Sequence, residues 1–258
     1  MEIHYDRLGD VDRYLQMHGR LRLEEKQPAF ENILRYIRKV RAVTPSCRIL
    51  EVGTGVGWFP LLCGLNGLSC KGLEISPQLI EYARELGRSY GVEADLTLGN
   101  LETVDLGEAQ YDVIVCSSVF EHVERWRESL GRVYRALKIG GALFFESTNK
   151  FSLTSGEWPS FPLYGWLPNG VRYRLRKLAH GPDIMKLGID FHQFTYPLLR
   201  RAFRQAGFSR ILDRVELSDP DLVASPVKRL TLKVCRSFPP ARHLVLTFFE
   251  ATTFVCVK

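Results

Sequence analysis

The sequence predicts an α/β fold: a doubly wound, mostly parallel seven-stranded sheet with an antiparallel last strand, N-terminal helices, and insertions over the carboxyl edge of the sheet. Three observations predict it. Strand-like and helix-like segments alternate up to about residue 150, as repeated βα units do when they wind a parallel sheet with helices on both faces. An apolar strand containing Ile49, Leu50 and Val52 runs straight into Gly53, Gly55 and Gly57, residues that permit positive φ and leave the backbone bare enough for a ligand to approach. A second strand, about 20 residues further on, ends in Glu74, where a carboxylate can reach ribose hydroxyls.

Each element follows from local chemistry. Residues 11–25 and 28–40 read as two helices ahead of the first strand, since Pro28 suits a helix start and Ile33, Leu34, Ile37 and Val40 recur at helical spacing. The glycine loop leads to a helix over 58–65 and a second strand near 69–75. A helix over 77–90 follows, with Ser76 as N-cap and Pro77 in its first turn. Next come a short strand at 96–98, a continuous apolar strand at 111–117, a helix at 125–137 and a strand at 141–147. Beyond Asn149 the rhythm breaks. The stretch 151–190 is rich in Pro, Gly and aromatics (Trp158, Phe161, Tyr164, Trp166), as an insertion roofing the ligand crevice would be, or a satellite core under a lid. A helix over 196–206, stopped by Gly207, precedes a strand at 209–217 and a last strand at 249–257 antiparallel to it. The expected organisation is an N-terminal helical cap (1–44), a cofactor-binding core (45–150), a lid or substrate insertion (151–190) and a C-terminal completion of the sheet (191–258) with a basic insertion at about 218–246.

Composition narrows the class. A chain of 258 residues, 45% hydrophobic and 25% charged, reads as an ordinary soluble globular protein. Its cysteines (47, 63, 70, 116, 235 and 256) show no C-x-x-C pairing, so reduced buried thiols in a cytoplasmic protein are expected. No signal peptide is visible at residues 1–7, and the apolar segment 244–257 is too short to span a bilayer and is interrupted by Glu250. The net charge of +6 is unevenly spread: from residue 151 onward there are 16 Lys and Arg against 8 Asp and Glu. The excess gathers around Arg172, Arg174, Arg176 and Lys177 and around Lys228, Arg229, Lys233 and Arg236, with apolar residues interleaved. Such segments suit peripheral contact with an anionic membrane or an acidic substrate, and equally a solvated helix face.

The type of cofactor turns on position 58. A dinucleotide loop of the G-x-G-x-x-G type puts a small residue there for close packing of helix on sheet, and this chain has Trp58. The pattern is instead Glu51-x-Gly53-x-Gly55-x-Gly57. Four further segments follow: Gly72-Leu73-Glu74-Ile75-Ser76; Leu98-Gly99-Asn100-Leu101; the run from Tyr111 through Ser117, Ser118, Val119 and Phe120 to Glu121-His122; and Leu137-Lys138-Ile139-Gly140-Gly141. In this order, over roughly residues 45–150, they resemble the motifs of the class I S-adenosylmethionine-dependent methyltransferases, in particular the methyltransferase type 11 enzymes of the ubiquinone-biosynthesis O-methyltransferase kind. Asp190-Phe191-His192-Gln193-Phe194-Thr195 and Ala206-Gly207-Phe208 are a later echo of the same enzymes.

The resemblance implies a Rossmann-like fold and S-adenosylmethionine as cofactor. The N–H groups of Gly53, Thr54, Gly55 and Gly57 would line the methionine carboxylate, with Glu51 orienting the methionine amino group. Glu74 would take the ribose hydroxyls and Ile75 pack on the adenine. Asn100, where the family usually carries Asp, would accept from the adenine amine, and Leu101 and Ser117 complete the expected cofactor set. Methyl transfer from a sulfonium is an in-line displacement that needs alignment and exclusion of water, plus a base where the nucleophile is protonated. His122 and His192 are the two candidate bases; the structural alternatives are a helix-start residue bonded to backbone for His122 and an anchor of the insertion for His192. In the ubiquinone-type enzymes a divalent metal goes with two glutamates and a histidine. Glu121 and His122 match two of these, but Ser118 stands at the third, so no metal is expected. The acceptor implied is a small or lipid-like molecule, O-methylated. An RNA or protein methyltransferase is an alternative; a nucleic-acid enzyme would suit the basic C-terminal half, but it is disfavoured because Ser117-Ser118-Val119-Phe120 replaces the Asn/Asp-Pro-Pro-aromatic segment of exocyclic-amine enzymes. A nicotinamide oxidoreductase, disfavoured by Trp58, and a non-catalytic methyltransferase-like protein are the remaining alternatives.

Overall fold

In the computed structural model, residues 11–18, 21–154, 158, 160–181 and 191–258 are described. The core begins at β1 (Arg48–Val52), a strand whose last four residues are all buried, as a strand covered on both faces requires. It pairs in parallel with β2 (Ser69–Glu74) on one side and β4 (Tyr111–Ser117) on the other. With β3 (Asp95–Leu98), β5 (Leu137–Thr148), β6 (Arg210–Asp213) and β7 (Ala251–Val257) they form one seven-stranded sheet in the order β3-β2-β1-β4-β5-β7-β6. β7 lies antiparallel between β5 and β6. The chain leaves β1 towards β2 and β3 and returns on the other side to β4. Connections therefore diverge at the carboxyl ends of β1 and β4, which opens a crevice there.

The alternation of side chains along each strand divides the apolar residues between two layers. Val113 and Val115 of β4 face one core, shared with Phe30, Ile33 and Ile37 of α2 (Leu23–Arg38) and Phe59 and Leu62 of α3 (Trp58–Leu65). Ile114 and Cys116 face the other, shared with Leu130 and Val133 of α5 (Trp126–Ala136) and Leu199 and Phe203 of α7 (Tyr196–Ala206). α4 (Pro77–Ser89) is capped by the Ser76 hydroxyl, which accepts from the Leu79 N–H at 3.3 Å. α1 (Val11–His18) and α6 (Asn169–His180) lie outside the βα rhythm. Among the described residues no helix is long and apolar enough to cross a membrane, and all six cysteines are free thiols.

Several expected boundaries are corrected. Pro28 lies inside α2 rather than at its start, and the segment 23–25, expected in the first helix, begins the second. Leu23 is buried and its N–H donates to the Tyr90 hydroxyl at 3.3 Å, so tertiary contact starts the helix earlier and the missing Pro28 donor is tolerated. The strand expected at 209–217 stops at Asp213. Asp213 Oδ1 accepts from the Val215 N–H at 3.0 Å while its own N–H donates to Glu216 at 3.0 Å, a reciprocal cap that turns the chain into α8 (Arg214–Leu217). The second insertion is helical, with α9 (Pro226–Ser237) and α10 (Pro239–Phe248) returning the chain to β7.

The first insertion holds an aromatic cluster. Trp158 and Phe161 each lie against Tyr164, with ring centroids 5.4 and 5.7 Å away, and Trp166 stacks on Phe248 of α10 at 5.8 Å. Arg172, expected in a basic surface segment, is fully buried beneath Tyr164, and its guanidinium donates to Asn169 Oδ1 at 2.9 Å. Asp190 and all of the expected lid after Gly181 lie outside the described residues.

Candidate cofactor-binding site

The glycine loop takes its shape from β1 and β2 together. Gly53, Gly55 and Gly57 all have positive φ (67°, 54° and 79°), a region that side chains with a Cβ adopt only with strain. The Gly53 and Thr54 N–H groups both donate to the Leu73 carbonyl, at 2.8 and 3.2 Å, hanging the loop from the end of β2. The absence of side chains is also a packing requirement. A Cβ at Gly53 would come within 2.4 Å of Val119 Cγ2, and one at Gly57 within 2.5 Å of the Ala83 Cβ on α4. The close helix packing that Trp58 cannot provide is supplied one residue earlier, by Gly57.

Two carboxylates lie under this loop. Glu51 is buried and accepts the Thr54 hydroxyl; burial pushes its carboxyl well above the usual range, the Thr54 bond opposes this, and the charge of Glu74 adds to it. Glu74 is also buried. Its Oε2 accepts the Gly55 N–H at 2.7 Å, and its Oε1 accepts the Ile75 and Ser76 N–H groups at 2.9 and 3.0 Å. Burial raises its carboxyl in spite of these three bonds. Asp112, at the opposite edge of the sheet, shows the contrast. Burial raises it too, but bonds from Lys138 (2.7 Å) and the Arg48 N–H (2.9 Å) and the charge of Arg41 bring it below the usual range. Carboxylates raised by burial beside a cleft mark a binding site, whereas a carboxylate compensated by cations is a structural tie.

The ends of β3 and β4 complete the wall. Asn100 Oδ1 accepts the Glu102 N–H at 2.9 Å, and the Asn100 carbonyl accepts from Thr103 and Val104, so the amide is oriented by its own turn. Ser118 stands at φ 56°, with its N–H bonded to the Glu146 carbonyl at 2.9 Å. His122 ends a short 3₁₀ turn, Phe120–His122, and its N–H donates to the Val119 carbonyl at 2.9 Å. The neighbouring Glu121 is buried and accepts the Ser147 hydroxyl at 2.7 Å.

These elements enclose a cavity of about 190 Å³ at the carboxyl ends of β1 to β4. Of the residues expected from sequence, Gly53, Gly55, Glu74, Ile75, Asn100, Leu101 and His122 line it. Glu51, Thr54, Gly57 and Ser117 do not: the first three brace the loop from behind, and Ser118 takes the wall position next to Ser117. His192 is outside the wall as well. Its Nε2 lies 2.9 Å from the Glu124 carbonyl, its N–H donates to the Glu121 carbonyl at 3.2 Å, and its ring packs edge-on to Trp126. The described part of the first insertion contributes nothing to the wall. Sequence reasoning missed Tyr14 and Val119. Tyr14 comes from α1, more than thirty residues before the glycine loop, yet its hydroxyl would lie 3.4 Å from a Cβ at Gly55. Burial and the charges of Glu74 and Glu51 raise the Tyr14 hydroxyl pKa. No local pattern marked it. Val119 had a signal, since a glycine loop implies a bulky neighbour filling the space its side chains leave.

Among the described residues no group of three or more His, Cys, Asp or Glu could hold a metal ion.

The sheet order, the loop and the cavity at the switch point are those of the class I S-adenosylmethionine-dependent methyltransferase fold. Residues 50–145 match the sequence model of the family described as Methyltransferase domain, type 11, and the chain carries that domain. The ubiquinone biosynthesis O-methyltransferase of Coxiella burnetii is 24% identical over 165 residues, covering 64% of this chain and 64% of that protein; the chain thus spans 64% of the length of the curated relative it matches. The Xylella fastidiosa protein of the same name is 31% identical over 119 residues, 45% of this chain and 48% of that one. Among solved structures, an S-adenosylmethionine-dependent methyltransferase from Mesorhizobium loti superposes with a TM-score of 0.57 at 18% identity, covering 92% of this chain and all of that one. Phosphoethanolamine N-methyltransferase 2 of Haemonchus contortus, in complex with S-adenosyl-L-methionine, gives 0.61 at 12% identity, covering all of this chain and 60% of that one. Both structural likenesses are of fold.

Proposed function

We propose that this protein transfers the methyl group of S-adenosylmethionine to a small or lipid-like acceptor, as an O-methylation by in-line displacement. The observation that carries this reading is the convergence of Gly53, Gly55, Glu74, Asn100 and His122 on one cavity at the carboxyl ends of four adjacent strands. The methyltransferase-domain match supports the chemistry, and the names of the relatives support an oxygen acceptor.

In this reading the glycine loop borders the methionine end and Glu74 the ribose. A carboxylate offers about four acceptor positions, and three are taken by Gly55, Ile75 and Ser76, so the group is held rigidly and meets one ribose hydroxyl through Oε2. Glu51 acts at one remove, fixing the loop through Thr54 rather than touching the ligand. Asn100 Oδ1 is engaged by the Glu102 N–H, so its Nδ2 donates to an adenine ring nitrogen where an aspartate would accept from the amine. His122, in the wall, is the base for a hydroxyl acceptor. His192, whose Nε2 is engaged at the Glu124 carbonyl, holds the segment carrying His122.

Calorimetry with S-adenosylmethionine and S-adenosylhomocysteine tests the reading. Both are expected to bind at one site in competition, and reduced nicotinamide dinucleotide is expected to leave the melting temperature unchanged. Failure of both sulfur ligands to bind would overturn it.

A further inference from the structure

The helix α9 presents an apolar face that is exposed among the described residues. Val227, Leu230, Val234 and Phe238 are 74%, 63%, 45% and 56% exposed. The spacing of three and four residues stacks Val227, Leu230 and Val234 into one stripe along the helix, and Phe238, the residue that caps its C-terminal end, follows them. The opposite side of α9 is fixed: Cys235 is buried, Leu232 packs against the core, and Arg236 donates to the Val215 and Ser218 carbonyls at 3.3 and 2.5 Å. Arg229 donates to the Val223 carbonyl at 3.0 Å. Two of the four basic residues of this segment thus tie the helix down by their guanidinium groups, and the stripe is held facing outward. Single exposed apolar residues are ordinary, but a contiguous stripe on a fixed helix marks an interaction surface.

Charge selects the partner. Lys228 and Lys233, both exposed, flank the stripe on its two sides, and no Asp or Glu occurs between residues 222 and 249. A two-fold contact with a second copy would oppose the same patch to itself, bringing these lysines together with no carboxylate on the helix itself to offset them. An anionic bilayer instead offers hydrocarbon to the stripe and negative headgroups to the lysines. The place of α9 in the fold gives the contact a consequence. β6 runs parallel to β5, so the excursion through α9 and α10 leaves and rejoins the sheet at its carboxyl edge. There Asn149 Nδ2 donates to the Leu246, Thr247 and Phe249 carbonyls at 3.2, 3.0 and 2.7 Å. That is the edge on which the cofactor cavity opens.

We propose that α9 is an interfacial helix that docks this protein on an anionic lipid bilayer, with Val227, Leu230, Val234 and Phe238 entering the headgroup region and Lys228 and Lys233 pairing with anionic headgroups. The contact does not depend on the methyltransferase reading, since it uses none of the cavity residues. Flotation of the full chain with phosphatidylserine–phosphatidylcholine vesicles, and with pure phosphatidylcholine vesicles, tests it. Binding to the anionic vesicles that weakens with salt is expected, with little binding to the neutral ones. The double variant Leu230→Glu, Val234→Glu is expected to lose binding at least about tenfold. Lys228→Glu, Lys233→Glu is expected to lose at least about fivefold per charge, as roughly 1 kcal/mol for each lysine at the surface implies. All four positions are exposed, and circular dichroism checks that both variants keep the wild-type fold. Wild-type protein that does not bind anionic vesicles, or variants that bind as well as wild type, would overturn the proposal. So would a wild-type dimer in sedimentation that the Leu230→Glu, Val234→Glu variant abolishes, because a second copy would then cover the stripe.

Discussion

The carboxylate of Glu74 accepts the backbone N–H of Gly55 at 2.7 Å, so the acid that ends β2 and the glycine loop that ends β1 are bonded to each other. Glu74→Gln replaces one acceptor oxygen with a donor amide that must face the N–H of Gly55 or those of Ile75 and Ser76. A hydrogen bond to a charged group is worth about 1.5–3 kcal/mol, so affinity for S-adenosylhomocysteine is expected to fall about 10- to 100-fold in calorimetry. An unchanged dissociation constant would remove Glu74 from the cofactor site.

Gly57 and Gly67 separate backbone strain from packing. Both have positive φ, 79° and 68°, but a Cβ at Gly57 meets the Ala83 Cβ at 2.5 Å while one at Gly67 meets nothing within 4 Å. Gly67→Ala is expected to cost about 1 kcal/mol in urea unfolding, the strain alone. Gly57→Ala adds overpacking against α4, for a total of about 3 kcal/mol. If the two substitutions cost the same, the close approach of α3 to α4 is not what Gly57 is for.

Glu51 makes stability depend on pH. Burial foremost, and the charge of Glu74, raise its carboxyl in the fold against the opposing Thr54 bond, so the folded chain holds this proton more tightly than the unfolded chain. Stability from this group is complete below the ordinary value of 4.5 and declines as pH rises from there towards the raised folded value. Glu51→Gln still accepts from Thr54 and escapes the decline. Its melting temperature is expected to gain on wild type with rising pH above 4.5 and then level off. A gap that does not change with pH would show that Glu51 is not a buried acid of this kind.

The two histidines divide by location. His122 lines the cavity, so His122→Ala is expected to lower kcat about 10²- to 10⁴-fold with little change in melting temperature. His192 bonds the Glu124 carbonyl instead. For His192→Ala a loss of about 1 kcal/mol of stability is expected, with cofactor affinity preserved. Steady-state kinetics with an accepted hydroxyl substrate, beside thermal melts, distinguishes the two, and the opposite pattern would exchange their roles.

Much of the core was legible because it is locally encoded. The helix Trp58–Leu65 and the strand Tyr111–Ser117 fall where glycine punctuation and apolar runs put them. Asp213 was not legible as a boundary. Its cap on α8 uses the same residues that suit a continuing strand, and it is also fully buried, with the Arg242 guanidinium and the Tyr196 hydroxyl bonded to it at 2.9 and 2.8 Å. That environment arises only once α7 and α10 have packed around it.

By itself the sequence determined the loop, the succession of strands along the chain and the acids that end them, because φ preference, apolar alternation and caps act over a few residues. Only the tertiary structure decided which side chains share the cavity. It put Ser118 rather than Ser117 in the wall, brought Tyr14 from α1 to the glycine loop, left His192 outside, and turned Arg172 inward while Lys228 and Lys233 stayed at the surface. These outcomes depend on residues tens to hundreds of positions apart meeting across a folded sheet, and no local spacing records such a meeting.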